Sequence, residues 1–315
     1  MSMLSVQVTE WGHPPKPIKV LPPRAPVHEA ETEIRVIAAG LHNLVRMRAA
    51  GNHYTASSLP HVPGVDGVGM NVSTGKKVYF STLATGQGSY SEIVNVPSES
   101  VVELPEGVDP VVAAAMVNPV MASWMALRKR VRTEDGKAKV LVLGVTSASG
   151  KIAVKVARHL GATCVVGAAR NRDALSKLDL DERIVLEEPD DTDFSAAADA
   201  DIVLDFLYGP WPGAFLMSSS TASAKNALTW INIGSLAGEG EIPAMGLRRR
   251  DVSIRGSGPG SWKMDEFGAE VPGMLEVLLG MGDEGLKRYR IDDVEEGWKS
   301  RGEGRIVFVF GEESV

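Results

Sequence analysis

Residues 139–175, KVLVLGVTSASGKIAVKVARHLGATCVVGAARNRDAL, hold the densest run of groups able to bind a charged ligand. An apolar stretch ends in a turn of small residues, an amphipathic stretch follows, and a second apolar stretch closes on two arginines. A strand, tight turn and helix in this order present backbone N–H groups and a positive helix terminus to an anion, which is how a dinucleotide pyrophosphate is held. Set against the pattern G-x-G-x-x-G, a window ending at Gly150 places Val145 and Ser147 at the first two glycine positions. Only the third glycine is kept, the one that lets the helix pack closely on the strand. Thr146, Ser147, Ser149, Gly150 and Lys151 are therefore the candidate phosphate contacts.

The second apolar stretch ends in Arg170, Asn171 and Arg172. A binder of NAD places an acid here to bond the ribose 2′-hydroxyl. An acid would repel a 2′-phosphate, whereas a guanidinium grips one with two parallel hydrogen bonds. The three residues favour NADP(H), against the plainer reading of a solvated turn with incidental arginines. Asp173 reads as the first turn of the next helix, where an acid complements the dipole.

These groups need a scaffold. Residues 139–144, 163–168, 183–186, 201–206 and 228–233 read as apolar strands. Between the first two lies a helix over 149–160, with Ile152, Ala153, Val156, Ala157 and Leu160 on one face and Gly161 ending it. A short helix follows over 171–178. Near-continuous apolar strands alternating with helices imply a parallel sheet covered on both faces. Residues 1–118 are richer in Val, Gly and Pro, with short strands expected over 33–39, 76–80 and 90–96. The PPKP and LPPRAP stretches read as extended edge or loop segments. Residues 252–255 read as an apolar edge strand, 271–281 as a helix and 305–310 as a closing strand. The expected domains are 1–118, a nucleotide-binding domain over 119–255, and a return segment over 256–315 that completes the first.

The 315 residues are enough for about two domains. A net charge of -7 argues against a nucleic-acid partner, and the basic runs 128–130 and 248–250 read as solvated surface charge. The single cysteine, Cys164, excludes an internal disulfide and reads as a small buried core residue. No apolar run is expected to reach the roughly 18 residues that span a bilayer. Neither end reads as a targeting signal, so the expectation is a cytoplasmic protein without a membrane partner.

The order of a β-rich domain, a βαβ nucleotide domain and a return segment resembles the medium-chain dehydrogenase/reductase superfamily. Residues 38–41 (AAGL), the turn 63–67 (PGVDG), the helix around 118–127 (NPVMASWMAL) and the closing 304–308 (GRIVF) are similar to its zinc-free, quinone oxidoreductase-like members. The resemblance covers nearly the whole chain. It implies an α/β fold, with a Rossmann-type doubly wound parallel sheet and a GroES-like β-rich domain. It also implies that Leu207 and Tyr208 flank the nicotinamide ribose, that Ile233, Gly234 and Ser235 approach the nicotinamide, and that Ser257 lies beside it. Where zinc-dependent members hold their metal, this chain has His42, Val65 and Asn118. Val65 cannot ligate and Asn118 is a poor zinc ligand, so no metal is expected. Relatives of the quinone type carry tyrosines in the substrate cleft; here the equivalents are His53, Tyr54 and Met47.

The implied activity is hydride transfer from NADPH to an activated alkene, quinone or carbonyl. Polarising the acceptor takes a hydrogen-bond donor at the developing oxyanion, and His42, Asn43 and Asn118 are the candidates. Each has a plainer reading, His42 as a loop hydrogen-bonder and Asn118 as the cap of the following helix. Two readings compete: a simple ketone or aldehyde reductase, and a non-catalytic NADPH-binding sensor or structural protein. A homodimer is expected, paired through the edge of the nucleotide-domain sheet.

Overall fold

The structure, a computed structural model, describes residues 2–53, 56, 58–131, 138–300 and 304–311. The chain forms two compact units: Met1–Asn118 with Gly268–Val315, and Pro119–Phe267.

The first unit opens on an antiparallel pair, β1 (Met3–Gln7) and β2 (Lys16–Val20). β3 (Glu31–Leu41) is the longest strand and leads into α1 (Asn43–Ala49). β4 (Asp66–Asn71), β5 (Lys77–Ser81), β6 (Ile93–Pro97) and β7 (Val101–Glu103) follow. β3 pairs antiparallel with both β4 and β6. Its residues Ile34, Val36, Ala39 and Leu41 are buried in a core shared with Val78, Phe80, Tyr90, Val94 and Val96.

α2 (Pro110–Arg130) starts where Asp109 Oδ1 accepts the amides of Val111 (2.8 Å) and Val112 (2.9 Å). Asp109 is thus the cap, and Asn118 lies mid-helix rather than capping a helix at Pro119. Proline favours the first helical turn, which makes Pro119 look like a start; here it sits inside the helix. The length expectation also needs correcting. α2 has 21 residues with a mean hydropathy of 1.5, long and apolar enough to cross a bilayer, and 72% of that window is buried within the protein.

The second unit is built on β8 (Lys139–Leu143), α3 (Ala148–His159), β9 (Cys164–Ala169), α4 (Arg172–Ser176), β10 (Glu182–Val185), β11 (Ile202–Asp205), α5 (Trp211–Met217), β12 (Leu228–Asn232), α6 (Ala244–Arg249) and β13 (Val252–Gly256). All neighbouring strands run parallel, in the order β10-β9-β8-β11-β12-β13. Successive residues of β8 feed opposite cores: Val140 and Val142 pack with Ala153, Val165 and Ile231, and Leu141 and Leu143 with Val166, Phe215 and Trp230. Strand order therefore reverses between β8 and β11, the switch point at which open α/β sheets bind ligands beyond their strand ends. β13 forms an outer edge of the sheet, with Ile254 exposed.

Residues 256–267 group with this unit rather than with the return segment. Arg130 explains why: its Nε donates to Gly256 O (2.9 Å) and its Nη1 to Ser261 O (3.1 Å). The basic runs are accordingly not all solvated charge. Arg250 is buried, donating to the carbonyls of Ala198 (2.9 Å), Ala200 (2.8 Å) and Asn226 (3.3 Å); its rigid fork of donors suits such a cluster of acceptors. Cys164 is half-buried, and burial pushes its thiol up from the ordinary range.

α7 (Met264–Glu276) starts earlier than expected, with Glu266 Oε2 accepting the Lys263 amide (2.9 Å) and two acids in its first turn. β14 (Leu286–Arg290), α8 (Val294–Lys299) and β15 (Arg305–Val309) complete the first unit. β15 lies between β14 and β3, so the larger sheet runs β14-β15-β3-β4-β5-β7, with β6 on β3.

Candidate functional site

In the second unit, the turn after β8 is tighter than its sequence suggests. Gly144 adopts φ +84°, a left-handed conformation that a side chain resists. The turn's first functional glycine is therefore Gly144, one residue before the window set by G-x-G-x-x-G. Gly150 faces it across the turn: a Cβ there would lie 2.4 Å from Gly144 O. Ser147 caps α3, its Oγ accepting the Gly150 amide at 3.0 Å, while the Lys151 amide bonds Ser147 O. The amides of Ala148 and Ser149, in the first turn, have no helical acceptor. Thr146, Ser147 and Ser149 are half-buried, and Lys151 is exposed.

Beyond β11, one buried side chain organises two loops. Asp205 Oδ1 accepts the amides of Leu207 (2.9 Å) and Tyr208 (2.8 Å), and Oδ2 accepts Trp230 Nε1 (3.0 Å). The Asp205 carbonyl takes the amides of Ile233 and Gly234. Burial pushes this carboxyl up, and its hydrogen bonds oppose that. Tyr208 holds φ 54°, a strained value for a side-chain-bearing residue. Leu207 O accepts the Ala237 amide and Phe206 O that of Leu236, so the segments carrying Leu207, Tyr208, Ile233, Gly234 and Ser235 form one assembly. Ser235 is exposed, and Ser257 is tied through its amide to Asn232 O (2.8 Å).

At the end of β9, Arg170 and Arg172 are exposed and make no ion pair among the described residues. Asn171 is occupied: it caps α4, its Oδ1 accepting the Ala174 amide at 2.9 Å. Asp173 falls in the first turn of α4, as its position implies.

The first unit holds a buried polar cluster at the end of β3. His42 precedes α1 with a side chain only 4% exposed, and neither ring nitrogen has a partner. Its Nε2 lies 3.7 Å from Asp66 Oδ1, just beyond hydrogen-bond reach. Asp66 Oδ2 accepts Tyr79 Oη at 3.0 Å. Burial, and secondarily the Asp66 charge, push the Tyr79 and Tyr90 hydroxyls well above their ordinary values. Burial brings Arg305 down to about 10, opposed by Asp66. Tyr90 Oη donates to Gly40 O at 2.8 Å. Asp66, Tyr79 and Arg305 surround the candidate His42 and are missed by sequence reasoning; the PGVDG turn is the one signal that points here.

The other candidates separate. Asn43 is exposed, its amide turned along α1 toward Met47 Sδ (3.5 Å). Asn118 is half-buried within α2, and Val65 is buried. Tyr54 lies outside the described residues. His53 is lowered from its ordinary range by burial and by the Arg48 charge.

His61 is brought down from 6.5 to about 4, first by burial and then by Arg48. The unfolded chain therefore takes up a proton between about pH 6.5 and 4 that the folded one refuses, so stability falls as pH drops through that window. The expected loss by pH 4 is on the order of 2 kcal/mol. Urea unfolding across pH 4–7 checks it: His61→Gln should flatten the acid limb, and an unchanged limb would exclude His61 as its source.

A parallel sheet in this strand order, with a close glycine turn at its switch point, defines a Rossmann-type dinucleotide-binding domain, carried here on one chain with a β-rich domain. No protein-family model matches the chain. A probable NADPH-dependent quinone reductase of Emericella nidulans, tdiC, is 33% identical over 326 residues, covering 89% of this chain and 91% of that protein. The acrylyl-CoA reductase AcuI of Ruegeria pomeroyi is 31% identical over 148 residues, 42% of this chain and 44% of that protein. The quinone oxidoreductase of Thermus thermophilus, solved also in complex with NADPH, superposes with a TM-score of 0.73 at 25% identity, over 98% of this chain and 100% of that one. The chain belongs to the quinone oxidoreductase-like branch of the medium-chain dehydrogenase/reductase superfamily.

Proposed function

We propose that this protein is an NADPH-dependent oxidoreductase that reduces an activated alkene, quinone or carbonyl without a catalytic metal. The observation that carries the reading is the pair of exposed arginines, Arg170 and Arg172, at the end of the strand next to the close Gly144–Gly150 turn, with no acid between them. The residues fit the cofactor: the first turn of α3 offers amides to the pyrophosphate, Arg170 and Arg172 suit the 2′-phosphate, and the Asp205-braced loops offer Leu207, Tyr208, Ile233 and Gly234 to the nicotinamide end. Bound NADPH supplies the hydride. His42 is the residue we assign to the acceptor's oxygen, as donor or as proton source, with Asp66 positioning it. Asn43, turned toward Met47, and Asn118, half-buried within α2, are given no part in this step. Val65, which has no ligating atom, supports catalysis without zinc, and elemental analysis finding about one zinc per chain would overturn that part. The outer edge at β13 supports a homodimer, which light scattering tests.

A hydrogen bond to a charged group contributes about 1.5–3 kcal/mol, so NADPH should bind roughly tenfold to a hundredfold more tightly than NADH. Arg170→Ala should weaken NADPH severalfold and leave NADH nearly unchanged, because NADH lacks the phosphate. Titrating both cofactors against both proteins decides the matter. Tighter NADH binding by the unmodified protein would reject the cofactor assignment, and NADPH binding without turnover across a panel of enones, quinones and ketones would favour a sensor.

A further inference from the structure

Near the end of α1, the first unit buries a positive charge that no carboxylate among the described residues offsets. Arg48, near the end of α1, is 3% exposed. Its Nη2 donates to Gly86 O at 2.7 Å, but its Nε is buried with no partner, and no Asp or Glu pairs with it among the described residues. A buried guanidinium lacking a counter-charge is costly, and proteins keep one where something else neutralises it.

A second observation points the same way. His61 is 8% exposed and its Nε2 is also buried without a partner. Its backbone is clamped to Val8 by two hydrogen bonds, of 2.8 and 2.9 Å, and its ring lies 5.9 Å from that of Trp11. His53, which also feels the Arg48 charge, is the third nitrogen-bearing side chain here.

We propose that Arg48 and His61 form a binding site for a carboxylate, carried by the molecule that the protein reduces. The substrate half of this rests on the reductase reading above. The chemistry selects the ligand. A guanidinium fork matches the two oxygens of a carboxylate. Arg48 brings one permanent positive charge, and His61 is neutral near pH 7, which suits a single negative charge better than a phosphate dianion. The ring of Trp11 provides an apolar flank.

The test uses the full-length protein with two matched pairs of probes. In calorimetry, benzoate should bind at least tenfold more tightly than benzamide, and Arg48→Met should abolish the difference. In NADPH oxidation, 4-carboxybenzylideneacetone should exceed its methyl ester at least tenfold in kcat/KM, and the ratio should fall to about one in Arg48→Met. Arg48→Lys keeps the charge without the fork and should retain a reduced preference, so it decides the matter if the methionine variant does not fold. Equal treatment of acid and neutral probes by the unmodified protein, or a preference unaffected at Arg48, overturns the site. Benzoate binding that depends on Arg48, with neither enone reduced, removes the reductase reading and leaves the anion site standing.

Discussion

Gly150→Ala should strip the protein of dinucleotide binding and destabilise its second unit. In a helix, alanine is ordinarily favoured over glycine by up to about 1 kcal/mol. Here the sign reverses, because the added Cβ would stand 2.4 Å from Gly144 O, 2.7 Å from Val145 Cα and 2.9 Å from Val145 C. All three are backbone atoms, so no rotamer relieves the contact; α3 must move off β8. That helix buries Ile152, Ala153, Val154, Val156 and Ala157, which would lose their fit. Overpacking of this kind costs about 1–3 kcal/mol or more. The same shift carries the first-turn amides away from the pyrophosphate, so NADPH affinity should fall at least a hundredfold, roughly 3 kcal/mol. Thermal unfolding and cofactor titration measure the two effects. A variant with the parent's melting temperature and affinity would mean that the close approach is dispensable.

Asp66→Ala should be the most damaging change in the first unit. It leaves the fully buried Tyr79 hydroxyl without its acceptor and removes the carboxylate that opposes the desolvation of Arg305. Leaving a buried hydroxyl without its acceptor typically costs about 1–3 kcal/mol. Asp66→Asn keeps the volume and an acceptor for Tyr79 but drops the charge, so its cost should be about half as large. If Asp66 also positions His42, turnover should fall in both variants by more than binding does. Denaturant unfolding of the two variants beside the parent is the measurement, and a midpoint for Asp66→Ala equal to the parent's would remove Asp66 from the electrostatic core of this unit.

The nucleotide-binding half is legible because its signals are local. The apolar strands over 139–144, 163–168, 183–186, 201–206 and 228–233 correspond to β8–β12 within a residue or two, since buried parallel strands are apolar on both faces. Gly144 escapes notice because a motif written as glycine spacings hides which residue takes the left-handed turn. The role of Asp205 is hidden for another reason: its partners are mostly backbone amides, which leave no trace in side-chain pattern. The polar cluster of the first unit is only half visible. His42 can be picked out by its place after a strand, but Asp66, Tyr79 and Arg305 come from three separate strands, and only pairing brings them into one cluster. The helix expected around 118–127 is present but begins eight residues earlier, at Pro110, so Pro119 lies inside it among buried apolar residues rather than at its start. The Arg48 site is invisible to sequence reasoning, since an arginine reads as surface charge until its burial is known.

The order of strands in the first unit sets a timetable for synthesis. β3, near the start, needs β15 at its side, and β15 is the last strand among the described residues. β6 covers residues 31–35 of that flank, but until residues 305–309 leave the ribosome residues 38–41 stay an open edge, the kind of surface that invites pairing with other chains. The second unit is one continuous stretch, Pro119–Phe267, complete in the chain before β15 is made. A nascent chain stalled just short of β15 should therefore already bind the dinucleotide while its amino-terminal half still depends on chaperone protection.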